Sequence, residues 1–444
     1  LIALQDDWQN ESKLPTPDML KKSFTLARWA TILLVHLFVL LLVLSPVGFS
    51  QPAPQTPGQS MQLSPQTALE RVLTASPLQG QWFEPAFLNQ VPLTQVQDLI
   101  ASLQKQFGAY QRVQAEGDRF LVLFERGRVT AQIALNAQGQ IAGLLFQPAA
   151  EPLTLDAAIA QLRTFPGEVN FLVLENGSEL ASFNGDRPLA VGSAFKLAVL
   201  VALRQQIDSG QHQWHDVVQL RPAWKSLPSG ILQEWPDGSL LTLQTLATLM
   251  ISISDNTATD ALIHSVGRDA VEALTDRNRP LLTTRELFTL KASQHQNWLQ
   301  RYQVADLAQR RQLLEAIATY PLPDIHSEAQ TREGFFAGQP TALDVEYFFT
   351  PHELCHLMAK VQDLPLMSIN PGTGLVNPQD WLQVAYKGGS EPGVLNLTHW
   401  LKSRAGKTYC VVTTWNNSAA PLEELRLYTL HSAVLQYLQT TRNR

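Results

Sequence analysis

The residue types and spacings that could do chemistry begin with a serine and a lysine. Ser193-Ala194-Phe195-Lys196 leads into an unbroken apolar run from Leu197 to Leu203. Positions i and i+3 share a helix face, so the Lys196 amine can reach the Ser193 hydroxyl. A serine hydroxyl is a weak nucleophile until a neighbouring base takes its proton. An amine drawn into an apolar helix has its pKa pushed down towards the range of such a base. At a helix start, backbone N–H groups also point at developing negative charge. Alone, Ser-x-x-Lys is a weak signal, because chance supplies it in most long chains.

Two further clusters give it company. Ser254-Asp255-Asn256 comes 61 positions after Ser193, behind the helical run Leu243–Ile253. It offers a second hydroxyl for proton relay and an amide to orient a substrate. Lys387-Gly388-Gly389-Ser390 follows the strand-like run Leu382–Tyr386. Lys387 offers a fixed positive charge, and the glycines make an edge that a substrate backbone can approach closely. The Ser390 N–H can pair with that of Ser193 as an oxyanion hole.

These three clusters, in this order, resemble the serine β-lactamase and penicillin-binding protein superfamily in its class A form. The resemblance covers about 165–440 and includes Pro236-Asp237-Gly238-Ser239 before the second cluster and Thr257-Ala258 after it. It implies that Ser193 is the acylated nucleophile and Lys196 its activating partner. Ser254 would shuttle a proton to the leaving nitrogen and Asn256 would hold the substrate's acyl amide. Lys387 would attract the substrate carboxylate, with Gly389 and Ser390 completing the binding edge. No cofactor is implied. The substrate would be a small-molecule β-lactam or a peptidoglycan-like compound. The layout also resembles two-domain relatives in which an isomerase-like domain precedes the catalytic one.

Two departures from that pattern bear on mechanism. The third cluster reads Lys-Gly-Gly, so Gly388 lacks the hydroxyl that would bind a carboxylate, and Ser390 is its partial replacement. No Glu-x-x-Leu-Asn string, which would carry the class A deacylation glutamate, follows the second cluster. The nearest match by position is Arg285-Glu286-Leu287-Phe288, after Asn278–Pro280. Glu286 is therefore the nominee for that role, against its reading as an ordinary helical surface acid. The expectation is an acyl-enzyme that forms readily and clears slowly. The stretch between Ser254 and Lys387 is long, and 292–345 reads as an insertion near the mouth of the site.

A rival motif lies at His352-Glu353-Leu354-Cys355-His356, which fits the H-E-x-x-H zinc signature. Thr350-Pro351 precedes it, a helix N-cap followed by a favourable first residue. Glu353 then falls where a capping box places it. The capping account is preferred, and no metal site is expected.

The elements that must position these residues fall into two parts. Gln66–Ala75 and Thr94–Phe107 carry apolar residues at helical spacing. Tyr110–Ala115, Arg119–Glu125, Val129–Leu135 and Ile141–Phe146 read as strands, with Gly117, Gly127 and Gly139 in the turns. That is a small α+β domain over 63–148, generically like the cone-shaped ketosteroid-isomerase-like group. After a Pro/Ala joint at Gln147–Pro152 comes the larger domain, 151–444. Strands are expected at Val169–Glu175 and Glu179–Phe183, joined by Asn176-Gly177, a strong hairpin signal. Helices fill Ala194 to about Lys360. Strands return at Leu382–Tyr386, Val394–Trp400 and Thr408–Trp415, before a closing helix over Leu422–Gln439. The fold class is α+β, with one antiparallel sheet assembled from both chain ends and packed by helices.

The first fifty residues read as an address. Lys21, Lys22 and Arg28 precede an apolar run, Trp29 to Leu44, and small residues follow at Gly48 and Ser50. Met19 is a natural start for such a signal. The run of sixteen residues rises ~24 Å as a helix, short of a ~30 Å hydrocarbon core. Residues 1–50 are expected to be a signal peptide, or an anchor helix over 29–49, and the Pro-rich 51–62 a linker. Either way the remainder is periplasmic, in the cell envelope or secreted. With 33 Lys and Arg against 39 Asp and Glu, the chain offers phosphate backbones little to bind, so nucleic acid is excluded. The two cysteines, Cys355 and Cys410, read as buried free thiols more readily than as one disulfide. A monomer is expected.

Overall fold

The computed structural model describes residues 63–442, apart from 92, 118, 149–150, 324–333 and 373. The leader and the linker lie outside the described residues. Among the described residues no helix is long and apolar enough to cross a membrane.

The first part opens with α1 (Pro65–Thr74), whose Ser64 side chain accepts a hydrogen bond from Thr67 N and so caps the first turn. With α2 (Leu93–Phe107) it packs on a four-stranded antiparallel meander. The strands are β1 (Tyr110–Glu116), β2 (Arg119–Phe124), β3 (Gly127–Leu135) and β4 (Ile141–Pro148). Leu69, Leu73 and Leu103 meet Val122, Val129 and Ala131 in its core. The period-2 pattern of β3 puts Val129 and Ala131 on the buried face, as its sequence predicts.

The larger part begins with α3 (Leu155–Leu162), β5 (Glu168–Glu175) and β6 (Ser178–Phe183). The helical layer follows: α4 (Lys196–Asp208), α5 (Leu243–Ser252), α6 (Asn256–Val266), α7 (Thr284–Lys291), α8 (Gln296–Val304), α9 (Leu307–Ile317) and α10 (Pro351–Ala359). The chain closes with β7 (Gln383–Glu391), β8 (Val394–Lys402), β9 (Thr408–Asn416) and α11 (Glu424–Arg442). The five strands form one antiparallel sheet in the order β7-β8-β9-β5-β6. The two chain ends therefore meet at the β9–β5 pair, where Val412 faces Leu172.

Both faces of this sheet are covered, which explains why its strands read as nearly continuous apolar runs. In β9, Cys410 and Val412 point into the helical layer, beside Phe195 and the Leu197–Leu203 run of α4. Tyr409, Val411 and Trp415 point the other way, against α3 and α11. A side chain such as Val411 or Leu200, fully removed from water, contributes about 1.5–3 kcal/mol. The first half of α4 is buried on every side, so it is a core helix rather than an amphipathic surface one. Helix α11 also reaches the first part. Gln106 Nε2 donates to Thr429 Oγ1 at 3.0 Å, Lys105 pairs with Glu423, and Leu425 packs on the α1–α2 core.

Two expectations change and one gains detail. The Lys387–Ser390 cluster lies inside a strand rather than beyond its end. Strand β7 pairs with β8 without interruption as far as Glu391↔Val394, so the tight Pro392-Gly393 turn comes after the cluster. The span 292–345, expected as an insertion, contributes α8 and α9 among its described residues, and the Tyr320 carbonyl beyond them accepts a hydrogen bond from Arg285 Nη2 at 2.5 Å. Third, the cysteines are not free. Cys355 of α10 and Cys410 of β9 form a disulfide that ties the helical layer to the middle of the sheet. They stand 55 positions apart, so spacing alone did not reveal that the sheet register brings them together.

Closing a loop of that length removes enough unfolded-chain entropy to stabilise the fold by about 2–4 kcal/mol. Cys355→Ala with Cys410→Ala is expected to unfold at clearly lower urea concentration than the oxidised parent. Reducing agent should lower the parent's midpoint and leave the variant's unchanged. Equal midpoints for oxidised parent and variant would mean that the bond contributes nothing.

Candidate functional site

The nucleophile candidate sits on a single 3-10 turn, Gly192–Phe195, that runs directly into α4. Ser193 is half-buried, while Lys196 begins the buried stretch of α4 and is fully buried. Among the described residues the Ser193 hydroxyl makes no hydrogen bond. Lys196 Nζ instead donates to Ser254 O at 2.7 Å, Ser254 Oγ at 3.1 Å and Asn256 Oδ1 at 2.6 Å. The second cluster thus holds the Lys196 amine.

The second cluster is built by the α5–α6 junction. Asp255 is the N-cap of α6, accepting from Ala258 N. Its other oxygen accepts from Ile231 N at 2.7 Å and Leu232 N at 3.0 Å. Asp255 is therefore a buried anchor for the 230–232 loop and leaves its neighbours to face the site. Ser254 has φ +57°, an uncommon left-handed conformation for a residue with a side chain. Ser229 Oγ donates to Ser254 O, helping to hold this backbone. Asn256 gives its amide N–H to Leu227 O at 2.7 Å and its oxygen to Lys196. That buried amide is the structural neighbour of Lys196 as well as the residue nominated to hold an acyl amide.

The third cluster comes from β7. Lys387 Nζ donates to Ser254 Oγ at 3.1 Å and to Gly388 O at 2.6 Å. One serine hydroxyl is thus shared by two buried amines. Burial lowers Lys387 to about 7. Burial and then the charge of Lys387 hold Lys196 well below the ordinary lysine range, against the opposing pull of Asp255 and Asp260. Neighbouring positive charges disfavour double protonation. The arrangement therefore disfavours protonating both amines at once and links them through one hydroxyl.

Gly389 shows how tightly the strand meets the nucleophile. A Cβ there would overlap Val191 O and Ser193 N and lie 2.7 Å from Ala194 N. Only glycine lets β7 lie against the Ser193 turn, and in the same contact a Cβ on Gly192 would come within 3.2 Å of Ser390 N.

Glu286 is placed differently from its nomination. It closes the capping box of α7, accepting from Thr283 N at 2.8 Å, and its other oxygen accepts from Arg268 Nη2 at 2.7 Å. One oxygen is thus committed to the start of α7 and the other to Arg268. Asp260, fully buried and raised to about 7 by burial, is held by Thr284 N, Thr284 Oγ1 and Arg285 N. Among the described residues no carboxylate hydrogen-bonds Ser193, Lys196, Ser254 or Asn256. Glu353 also caps: Thr350 and Glu353 form the expected box, and Arg277 pairs with the Glu353 carboxylate. His352 faces Glu179, Asp186 and Gly185 O, whereas His356 is exposed. Among the described residues no three His, Cys, Asp or Glu side chains gather as a metal site.

Sequence reasoning missed the supporting groups Ser229, Leu227, Thr284 and Asp260. Only the Asp255-x-x-Ala258 spacing of an N-cap was readable locally; the others arrive from distant loops.

A model of the beta-lactamase enzyme family matches residues 154–429, more than half of the chain. The chain belongs to that family. Beta-lactamase VEB-1 of Pseudomonas aeruginosa is 26% identical over 132 residues, 29% of this chain. The match spans 43% of that relative's length. Among solved structures, a beta-lactamase from Sphaerobacter thermophilus aligns at 24% identity with a TM-score of 0.44, over 64% of this chain and 95% of that one. A protein named PBP-A aligns at 19% identity, TM-score 0.44, over 67% and 99%.

The two amines of this beta-lactamase family member should separate by pH. Lys387 is charged below about 7 and loses its proton above it. The second-order acylation constant for a penicillin, which reports the free enzyme, is expected to fall above pH 7. A fluorophosphonate, which carries no carboxylate, should lack that alkaline limb. Parallel pH profiles for both probes would show that Lys387 does not read the substrate's charge.

Proposed function

We propose that the protein is an exported acyl-serine hydrolase of β-lactams whose acyl-enzyme clears slowly. The observation that carries this reading is the pair of buried lysines converging on Ser254, with no carboxylate among the described residues hydrogen-bonded to the cluster. Neutral Lys196 takes the Ser193 proton as the serine oxygen bonds to the lactam carbonyl carbon. The backbone N–H groups of Ser193 and Ser390 receive the negative charge that develops on the carbonyl oxygen. The C–N bond breaks, and the leaving nitrogen takes the proton of Ser254, which the amines behind it resupply. Lys387 holds the substrate carboxylate.

Water must then attack the acyl ester. A positioned general base accelerates such a step by about 10²–10⁴. The carboxylates Glu286 and Asp260 are held by other partners, which supports slow clearance. The same observation favours a second reading, a penicillin-binding envelope protein that keeps its acyl group. The Cys355–Cys410 disulfide supports an oxidising compartment, in keeping with the basic and apolar leader.

Intact mass followed over time after addition of benzylpenicillin tests the reading. Wild-type protein should gain one penicillin and lose it more slowly than it gained it. Ser193→Ala should gain none. An adduct in Ser193→Ala would remove Ser193 as nucleophile. Rapid consumption of penicillin with no adduct would show an efficient hydrolase with its base elsewhere. An adduct that never clears identifies the penicillin-binding reading, and reaction with peptidoglycan peptides or esters alone the peptidase or esterase one. Glu286→Gln keeps a capping-box acceptor for Thr283 N, loses only the charge paired with Arg268, and is expected to leave clearance unchanged. Slower clearance in that variant would restore Glu286 as the base.

A further inference from the structure

The middle residue of the Lys387-Gly388-Gly389 run has no side chain, and the structure puts another residue's hydroxyl in that space. A Cβ on Gly388 would overlap the Tyr386 hydroxyl oxygen, with Tyr386 Cζ only 2.9 Å away. Tyr386 and Gly388 are two apart on β7, so they share a face of the strand. The phenol lies along that face and ends over the glycine. Glycine is therefore required at 388 for the tyrosine to lie there.

The ring is fixed from behind. It packs on His399 of β8, the centroids 4.4 Å apart. On another side is Gly372, where a Cβ would come within 3.1 Å of Tyr386 Cγ. His399 in turn is held by His431 of α11 at 2.9 Å, and His431 by Thr413 of β9 at 2.9 Å. Tyr386 itself is half-buried, and among the described residues its hydroxyl makes no hydrogen bond. Burial and the nearby Glu424 raise the phenol above its ordinary range, so it stays protonated and able to donate.

We infer that Tyr386 supplies, from two residues upstream, the hydroxyl that Gly388 lacks, and donates it to the substrate carboxylate beside Lys387. The inference rests on the acyl-serine reading of Ser193 and adds a binding residue to it. Lys387 brings charge from one face of β7, and Tyr386 brings a directed donor from the other. Ser390, next on the Tyr386 face, continues this polar edge.

The test compares second-order acylation constants for benzylpenicillin and a fluorophosphonate, followed by intact mass. Tyr386→Phe keeps the ring and removes only the hydroxyl. A hydrogen bond to a charged group is worth about ten-fold to a hundred-fold. The penicillin-to-fluorophosphonate ratio is expected to fall by about that factor, through weaker penicillin binding rather than a slower limiting rate. Gly388→Ala, whose methyl displaces the phenol, should lower the ratio in the same direction. Penicillin methyl ester, with its carboxylate masked, should react equally with wild-type and Tyr386→Phe protein. An unchanged ratio in Tyr386→Phe overturns the role of Tyr386 and leaves the acyl-serine reading standing. Failure of both probes to label wild-type Ser193 takes down both.

Discussion

Two amines buried against one hydroxyl are the constraint on which the rest of this molecule depends. An ammonium taken out of water costs several kcal/mol unless its protons are matched by acceptors, and two side by side add mutual repulsion. Here the acceptors are Ser254 O, Ser254 Oγ, Asn256 Oδ1 and Gly388 O. The system relaxes by lowering both pKa values, Lys196 through burial and its charged neighbour, Lys387 through burial. The proposed chemistry uses that relaxation, because an amine with a lowered pKa can act as a base. The three participants come from α4, the α5–α6 junction and β7, so the fold must bring distant segments into register before any of this exists.

The sheet does most of that work. Its first strands come from early in the larger part and its last from the end, and the β9–β5 pair joins them. With β7 at the edge of this sheet, Gly389 can be pressed against the Ser193 turn. The Cys355–Cys410 bond fixes the helical layer to the same sheet. Strain is local: Ser254 is held left-handed where the two lysines meet it. Around it, the buried Asp255 and Asp260 accept from backbone N–H groups of neighbouring segments, so neither carboxylate hydrogen-bonds the cluster.

Much of the architecture was legible because it is local. The apolar spacing of α1 and α2, the alternation of β3, the Asn176-Gly177 hairpin and the Thr350-Pro351 helix start all appear where their patterns place them. Glu353 was readable as a cap rather than a ligand for the same reason. Glu286 has the same kind of signal, Thr283 three residues ahead of it, and the structure gives it the same kind of use. Positional likeness to a catalytic loop pointed elsewhere, but a Thr-x-x-Glu spacing at a helix start is a local instruction that the chain carries out.

By itself the sequence determined the elements, the binary pattern of the two cores and the residues able to do acyl chemistry. Each of these follows from spacings of two to four residues, where backbone geometry alone decides what faces what. Only the tertiary structure decided what those residues touch. It gave Lys196 to Ser254 and Asn256 rather than to Ser193, joined Cys355 to Cys410, carried Lys387–Ser390 into a strand and laid the Tyr386 hydroxyl over Gly388. These depend on strand register and on how the sheet meets the helical layer. A one-residue slip in register turns every side chain to the opposite face, so no short spacing along the chain can specify such contacts.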